Sequence, residues 1–347
     1  MMKQFLLHLL LLQSIITISP FTNAQKQQGT SLFRVYEDND FLNIRGKGTD
    51  KAYSGGTRFD LFYELTKKPR LFPVFLRSKN DSAIFIAQWG LMQTIFTPND
   101  ISDPNFQRND YFYSGALFII RSLYLYNPVR HYSFQTELQL GIRGPAALGK
   151  QAQTLIHRMI QYTIPMGWDT QLQNPPIINI NFAFEKQVTP VNKEFEVIAG
   201  GKVYIGTLRN GLTFSPQIRW GLMNPYFKGY INQFSGVLSN SNRKKSKIQA
   251  YIVIKPEIQL VLNNALLEGG LFAKKTTVKF DNRQSAIPSG INTYSAGDIR
   301  NWVYAINYGV VVSSGKFAIS FIQNTSTEMR RSPYSHEVGN ISVHFTL

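Results

Sequence analysis

The chain has 347 residues, 37 Lys and Arg against 21 Asp and Glu, a formal net charge of +16 and no cysteine. Without cysteine there are no disulfide staples, thiolate nucleophiles or cysteine-ligated zinc. A mean hydropathy of −0.17, with no later apolar run near the ~20 residues of a spanning helix, leaves a soluble chain or a β-barrel, whose alternating faces average to a polar value. The positive surplus points to an anionic partner. No zinc-ligand spacing or nucleic-acid motif is present, so for an exported chain that partner is expected to be polyphosphorylated lipid, not nucleic acid.

At the N-terminus Lys3 supplies a positive charge, residues 5–16 are almost wholly apolar, and Thr22-Asn23-Ala24 ends the stretch with small residues. This is the pattern of a secretory signal peptide. Residues 1–24 are expected to be cleaved, leaving 25–347 as one domain.

Period-two alternation then recurs along the chain. Tyr132, Phe134, Leu138, Leu140 and Ile142 alternate with Ser133, Gln135, Glu137, Gln139 and Arg143. Ile252, Ile254, Ile258 and Leu260 alternate with Lys255, Glu257 and Gln259, and at the C-terminus Ile341, Val343, Phe345 and Leu347 alternate with Ser342, His344 and Thr346. Further strands are expected near Ser31, Tyr53, Ala83, Phe112, Ile177, Phe195, Gly211, Leu267, Trp302 and Lys316. A single-chain bacterial barrel has an even strand number, so the fold predicted is a single antiparallel transmembrane β-barrel of about 12 strands in the outer membrane of a Gram-negative bacterium. The segment 267–280 is then expected to be partly loop. A soluble β-sandwich would need many more short strands. Aromatic residues near strand ends, such as Tyr111, Phe112, Tyr113, Tyr124 and Tyr126, suit interfacial girdles.

With both termini in the periplasm, residues 39–52, 97–111 and 145–175 become outer loops and the short connections at 127–130 and 189–193 inner turns, while 65–82 is long for an inner turn. One segment breaks the β pattern: over 149–161, Leu155, Ile156, Met159 and Ile160 form one apolar helical stripe. The chemically loaded residues gather in these outer loops. Glu37, Asp38, Asn39 and Asp40 end the first strand, Ser54 opens the second beside them, and His157 sits on the loop helix. Taken singly, turn punctuation accounts for most of the Asp and Asn residues.

In order and spacing these residues resemble the outer-membrane lipid A 3′-O-deacylase family over nearly the whole mature chain. Residues 35–40 (V-Y-E-D-N-D) resemble its first-strand Asn-Asp signature, Tyr53-Ser54-Gly55-Gly56 its Tyr-Thr-x-Gly, and residues 93–98 its Gln-x-Ile-Tyr-Ser-Pro element. Gly144-Pro145, Gln153, His157-Arg158 and Trp168-Asp169-Thr170-Gln171 are similar to its helix-bearing loop, and residues 326–330 with Gly339 to its C-terminal hairpin. The resemblance implies a 12-stranded, calcium-dependent barrel that removes the 3′ acyloxyacyl chain of lipid A. It also implies Gln153, Arg158 and Arg108 as substrate-binding or supporting residues. Ser54 keeps the hydroxyl of the family's Thr. Where the family has a Lys-Arg pair, this chain has Asn99-Asp100-Ile101-Ser102, so Arg108, Lys47 or Lys51 would have to meet the phosphates. The family's acidic residue shortly after the helix has no counterpart in 161–164.

Ester hydrolysis needs a nucleophile, a base and a site for the oxyanion. There is no G-x-S-x-G elbow and no thiol, so the expected route is a water activated by His157, with Asp40 and Asn39 holding calcium through oxygen ligands. His8 leaves with the signal peptide, His131 lies at an inner turn and His344 faces the lumen, which makes His336 the runner-up base. The competing readings are an outer-membrane phospholipase, a porin or uptake channel, and a structural or adhesive barrel. A monomer is the expected state.

Overall fold

The computed structural model describes residues 30–44, 51–69, 82–107, 110–173, 175–190, 194–235, 248–269, 275–280, 290–295, 299–331 and 334–347. The expected signal peptide, Lys47 and Arg108 lie outside them. The strands in chain order are β1 (Ser31–Asn39), β2 (Ala52–Leu65), β3 (Ile84–Thr97), β4 (Ser114–Asn127), β5 (Tyr132–Arg143), β6 (Pro176–Gln187), β7 (Phe195–Gly206), β8 (Arg209–Phe214), β9 (Gln217–Leu222), β10 (Ile248–Asn264), β11 (Lys275–Phe280), β12 (Gly290–Ser295), β13 (Trp302–Ser314), β14 (Phe317–Ser326) and β15 (His336–Thr346).

Sequential strands pair antiparallel, and β1 returns to β15 to close the sheet. β8 and β9 are two halves of one strand, since both pair with β7 and β10. They are separated at Ser215-Pro216, where proline has no N–H for the ladder. The result is a closed barrel of 12 strands, as the alternation predicts. The strand expected near Leu267 resolves into a short helix and a hairpin outside the barrel, β11 with β12. Closure leaves no unpaired edge, which is what allows a sheet to cross a bilayer.

Side chains sort by parity. Outward, Trp89, Ile119, Leu140, Ile178, Trp220 and Ile252 are all exposed, forming an apolar wall. Inward, Arg34 and Arg58 hold Asp60 (Arg58 Nε at 2.9 Å), and Lys202 Nζ pairs with Glu137 at 3.2 Å. These buried charges are matched, as a low-dielectric interior requires.

The lumen is not an open pipe. Between β9 and β10, downstream of helix α1 (Gly149–Ile160), the chain folds inward through a 3-10 turn (Tyr226–Lys228) and a short helix α2 (Tyr230–Phe234). Phe227 and Ile231 pack on Leu32, Phe62, Ile86 and Tyr126 of the inner wall. Tyr230 stacks on Phe62 with ring centroids 4.1 Å apart and accepts from Arg34 Nη1 at 2.8 Å. This plug closes the end of the barrel that carries the chain termini. At the other end Ala265, Leu266 and Leu267 of helix α3 (Ala265–Glu268) pack against Tyr111, Phe118 and Val303. Arg143 donates to the Ala265 carbonyl and Arg330 to that of Leu267. A luminal cavity of about 710 Å³ remains between the two closures.

Candidate active site

The connection between β5 and β6 carries helix α1 (Gly149–Ile160). Gly144 (φ 93°) turns the chain out of β5, Pro145 starts a 3-10 turn, and Leu148 takes a left-handed conformation before the helix begins. A soluble amphipathic helix hides its apolar stripe, whereas α1 inverts this. Gly149, Gln153 and His157, at i, i+4 and i+8, are buried, while Leu155, Ile156 and Met159 are 60%, 38% and 42% exposed. The apolar stripe therefore joins the apolar outer wall, and the polar face is pressed against the outside of the barrel.

Close approach needs glycine on the helix side, where a Cβ would collide, while the strand side meets the helix at ordinary contact distance. A Cβ at Gly115 of β4 would lie 3.5 Å from the Gly149 Cα, and one at Gly149 would stand 2.7 Å from Trp168 Cη2. Trp168 is fully buried, 5.0 Å from the Tyr113 ring, and its Nε1–H donates to Gln153 Oε1 at 2.8 Å. Gln93 of β3 donates to the Ala147 carbonyl at 2.7 Å. Indole, amide and glycine together fix the helix on the wall.

Between helix and wall lies a cavity of about 70 Å³, lined by Glu37, Asn39, Ser54, Gln93, Gln153 and His157 among others. The wall residues share the outward parity of β1 to β3, opposite to Arg34, Tyr36 and Asp38, which line the lumen. Ser54 reaches it through a β-bulge, since Tyr53 pairs with Phe96 and Gly55 already with Ile95. Such a bulge re-aims a side chain, and Ser54 Oγ shares a hydrogen bond with Thr97 Oγ1.

His157 is 4% exposed, and its Nδ1 lies 2.5 Å from the Thr163 carbonyl oxygen. A carbonyl can only accept, so the proton sits on Nδ1 and the basic lone pair on Nε2. Tyr162 packs edge-on to the imidazole at 5.2 Å. Asn39 caps the 3-10 turn Asp40–Leu42, its Oδ1 accepting from Phe41 N–H at 2.8 Å. Asp40 is buried beside it, with Oδ2 accepting from Lys51 N–H at 3.1 Å.

The fold thus brings Asn39, Ser54, Gln153 and His157 together and sets Asp40 next to Asn39. Arg158 lies on the exposed side of α1. Lys51 places its Nζ 5.0 Å from the Tyr334 ring centroid. His336 faces the other way: it lines the lumen and its Nε2–H donates to the Tyr53 carbonyl at 2.8 Å. Glu37, which the sequence places among the polar residues ending the first strand but without a site role, lines the cavity, and its parity is the signal for that role. A carboxylate between Val35 and Asn39 on a lipid-facing register is an anomaly that turn chemistry does not explain. Among the described residues no three His, Cys, Asp or Glu side chains form a metal-binding group. A cation here would therefore complete its shell with amide, hydroxyl, main-chain or substrate oxygens, which calcium accepts readily.

Residues 9–347 match the family model described as outer membrane protein LpxR. The chain belongs to the LpxR outer membrane protein family. This is the family its motifs resemble, and it makes the barrel an outer-membrane one. Among solved structures, LpxR from Salmonella typhimurium is similar with a TM-score of 0.66 at 16% identity, covering 90% of this chain and 99% of that one. At such identity the likeness speaks for the shared barrel alone. The β domain of the Bordetella autotransporter BrkA matches with a TM-score of 0.42 at 9% identity, over 92% of this chain and 99% of that one. The COG4313 outer membrane channel from Pseudomonas putida F1 matches with the same TM-score and identity, over 95% and 100%. No curated protein matches the sequence.

Proposed function

We propose that this LpxR-family barrel is a lipid A deacylase that hydrolyses the 3′-linked acyloxyacyl ester of lipopolysaccharide in the outer leaflet, with His157 as the base. The observation that carries this reading is the burial of a tautomer-fixed histidine, beside Asn39 and Ser54, in a cavity on the lipid-facing side of the wall. An ester held there meets base and donors without entering the lumen.

Nε2 of His157 takes a proton from water as that water attacks the ester carbonyl, and returns it to the departing alkoxide. Ser54 and Gln93 offer an O–H and an N–H along the opposite wall, where oxyanion donors are needed. Asn39, Asp40 and their neighbours supply hard oxygen donors suited to calcium. When bound, that ion adds positive charge at the ester carbonyl. The apolar stripe of α1 lies alongside acyl chains, and Arg158, exposed on the same helix, meets the anionic headgroup.

The luminal plug weighs against a channel, and a phospholipase would use the same ester chemistry. Mass spectrometry of lipid A from cells with and without the protein tests the reading. Loss of one acyloxyacyl unit only in expressing cells is expected. Unchanged lipid A with altered phospholipids would overturn it in favour of a phospholipase.

A further inference from the structure

Glu37 is the one charged side chain among the described residues lining the cavity beneath α1. On β1 it shares its outward register with Val35, and its cross-strand neighbours are Thr57 on β2 and Ile341 on β15. Its side-chain hydrogen bond among the described residues is from Thr57 Oγ1 to Oε2, 2.7 Å, and no Lys or Arg ion pair to it is formed there. A carboxylate on the membrane face of a barrel strand destabilises the fold. Three luminal acids are matched by bases instead, Asp60 by two arginines, Glu137 by Lys202 and Glu196 by Arg219, while a fourth, Asp38, is held by the hydroxyls of Tyr36 and Tyr53.

A carboxyl group with no basic partner in such a site is retained where a cation arrives from outside. The other polar groups lining the cavity are neutral: Asn39, Ser54, Thr57, Gln93, Gln153 and His157. Nearly all offer oxygen, the donor a hard divalent cation selects.

We propose that Glu37 is an oxygen ligand of a divalent cation in this cavity, of the calcium class. The assignment deepens the deacylase reading by naming the carboxylate that faces the reacting centre, alongside Asn39 and Asp40 on the same strand end. Glu37 Oε1 is the oxygen directed to the ion, while Oε2 stays with Thr57.

The test is calcium binding to the purified barrel in detergent, measured by calorimetry and by terbium luminescence without any substrate. Glu37→Gln preserves size and an acceptor for Thr57, and folding is checked by heat-modifiable migration. The expected result is a rise in the calcium Kd of tenfold or more, on the order of the losses seen when metal-site groups are removed. Glu37→Leu is expected to lose binding equally while melting no lower than wild type. Wild-type affinity in Glu37→Gln, or no calcium binding by the wild-type barrel, overturns the proposal. Glu37-dependent calcium binding by a barrel that leaves lipid A intact upholds the cation site and removes the deacylase reading, so the two fail separately.

Discussion

The imidazole Nδ1–H of His157 donates to the Thr163 carbonyl just past the end of its own helix, so the chain that leaves α1 fixes the tautomer of a residue within it. His157→Ala and His157→Gln are expected to insert and fold yet lower deacylation by about 10²- to 10⁴-fold, the usual loss for a general base. His336→Ala, altering a ring that faces the lumen, should keep most activity. Lipid A mass spectra of cells carrying each variant decide this; deacylation near the wild-type rate in either His157 variant removes the residue from the mechanism.

Chelation provides a second test. With oxygen donors from Asn39, Asp40 and their neighbours and no cysteine in the chain, a hard cation is favoured over zinc. Excess EDTA should abolish lipid A hydrolysis by the purified protein, and calcium should restore it. Undiminished turnover in the chelator would rule out a catalytic cation.

Gly149→Ala probes the seating of the helix. The new methyl meets Trp168 at 2.7 Å, and overpacking of this kind costs about 1–3 kcal/mol. The barrel itself should remain heat-modifiable, while the 144–175 connection becomes more sensitive to limited proteolysis and activity falls. Full activity with unchanged proteolysis would show that the tryptophan yields without moving α1.

The plug predicts electrical silence. Phe227, Tyr230 and Ile231 occupy the lumen at the terminal end, so the protein in planar bilayers is expected to show no stable ion-conducting steps. Replacing residues 226–234 with a short Gly-Ser linker opens this end alone, so steps should appear only when the second closure, Ala265–Glu268, is removed as well. Steady conductance by the wild-type protein would mean that the segment leaves the lumen.

The sequence displays the barrel more clearly than the site. Alternation such as Leu138, Leu140 and Ile142 against Glu137 and Gln139 directly marks two faces, because a sheet puts successive side chains on opposite sides. The stripe Leu155, Ile156, Met159 identifies a helix, but periodicity cannot say whether an apolar face meets a core or a bilayer, and here it meets the bilayer. Residues Glu37 and Asn39 carry the outward register, yet at a strand end they read as turn punctuation. The plug escapes for another reason: Tyr226, Phe227, Tyr230 and Phe234 make too short an aromatic run to show a period. His157 is legible as a residue, whereas its bond to Thr163 depends on how the chain leaves the helix, including the left-handed Gln161.

The placement of the cavity on the outer wall changes what the substrate has to give up. Drawing an acyl chain of a dozen or so carbons out of the bilayer into a water-filled barrel costs on the order of 10 kcal/mol, at about 0.8 kcal/mol per methylene. A lipid that slides sideways along the wall to the gap beside α1 keeps its chains solvated by neighbouring lipids throughout. Turnover would then follow the surface density of the lipid and its lateral diffusion, so dilution with an inert detergent or a foreign lipid should slow the reaction even at constant bulk concentration.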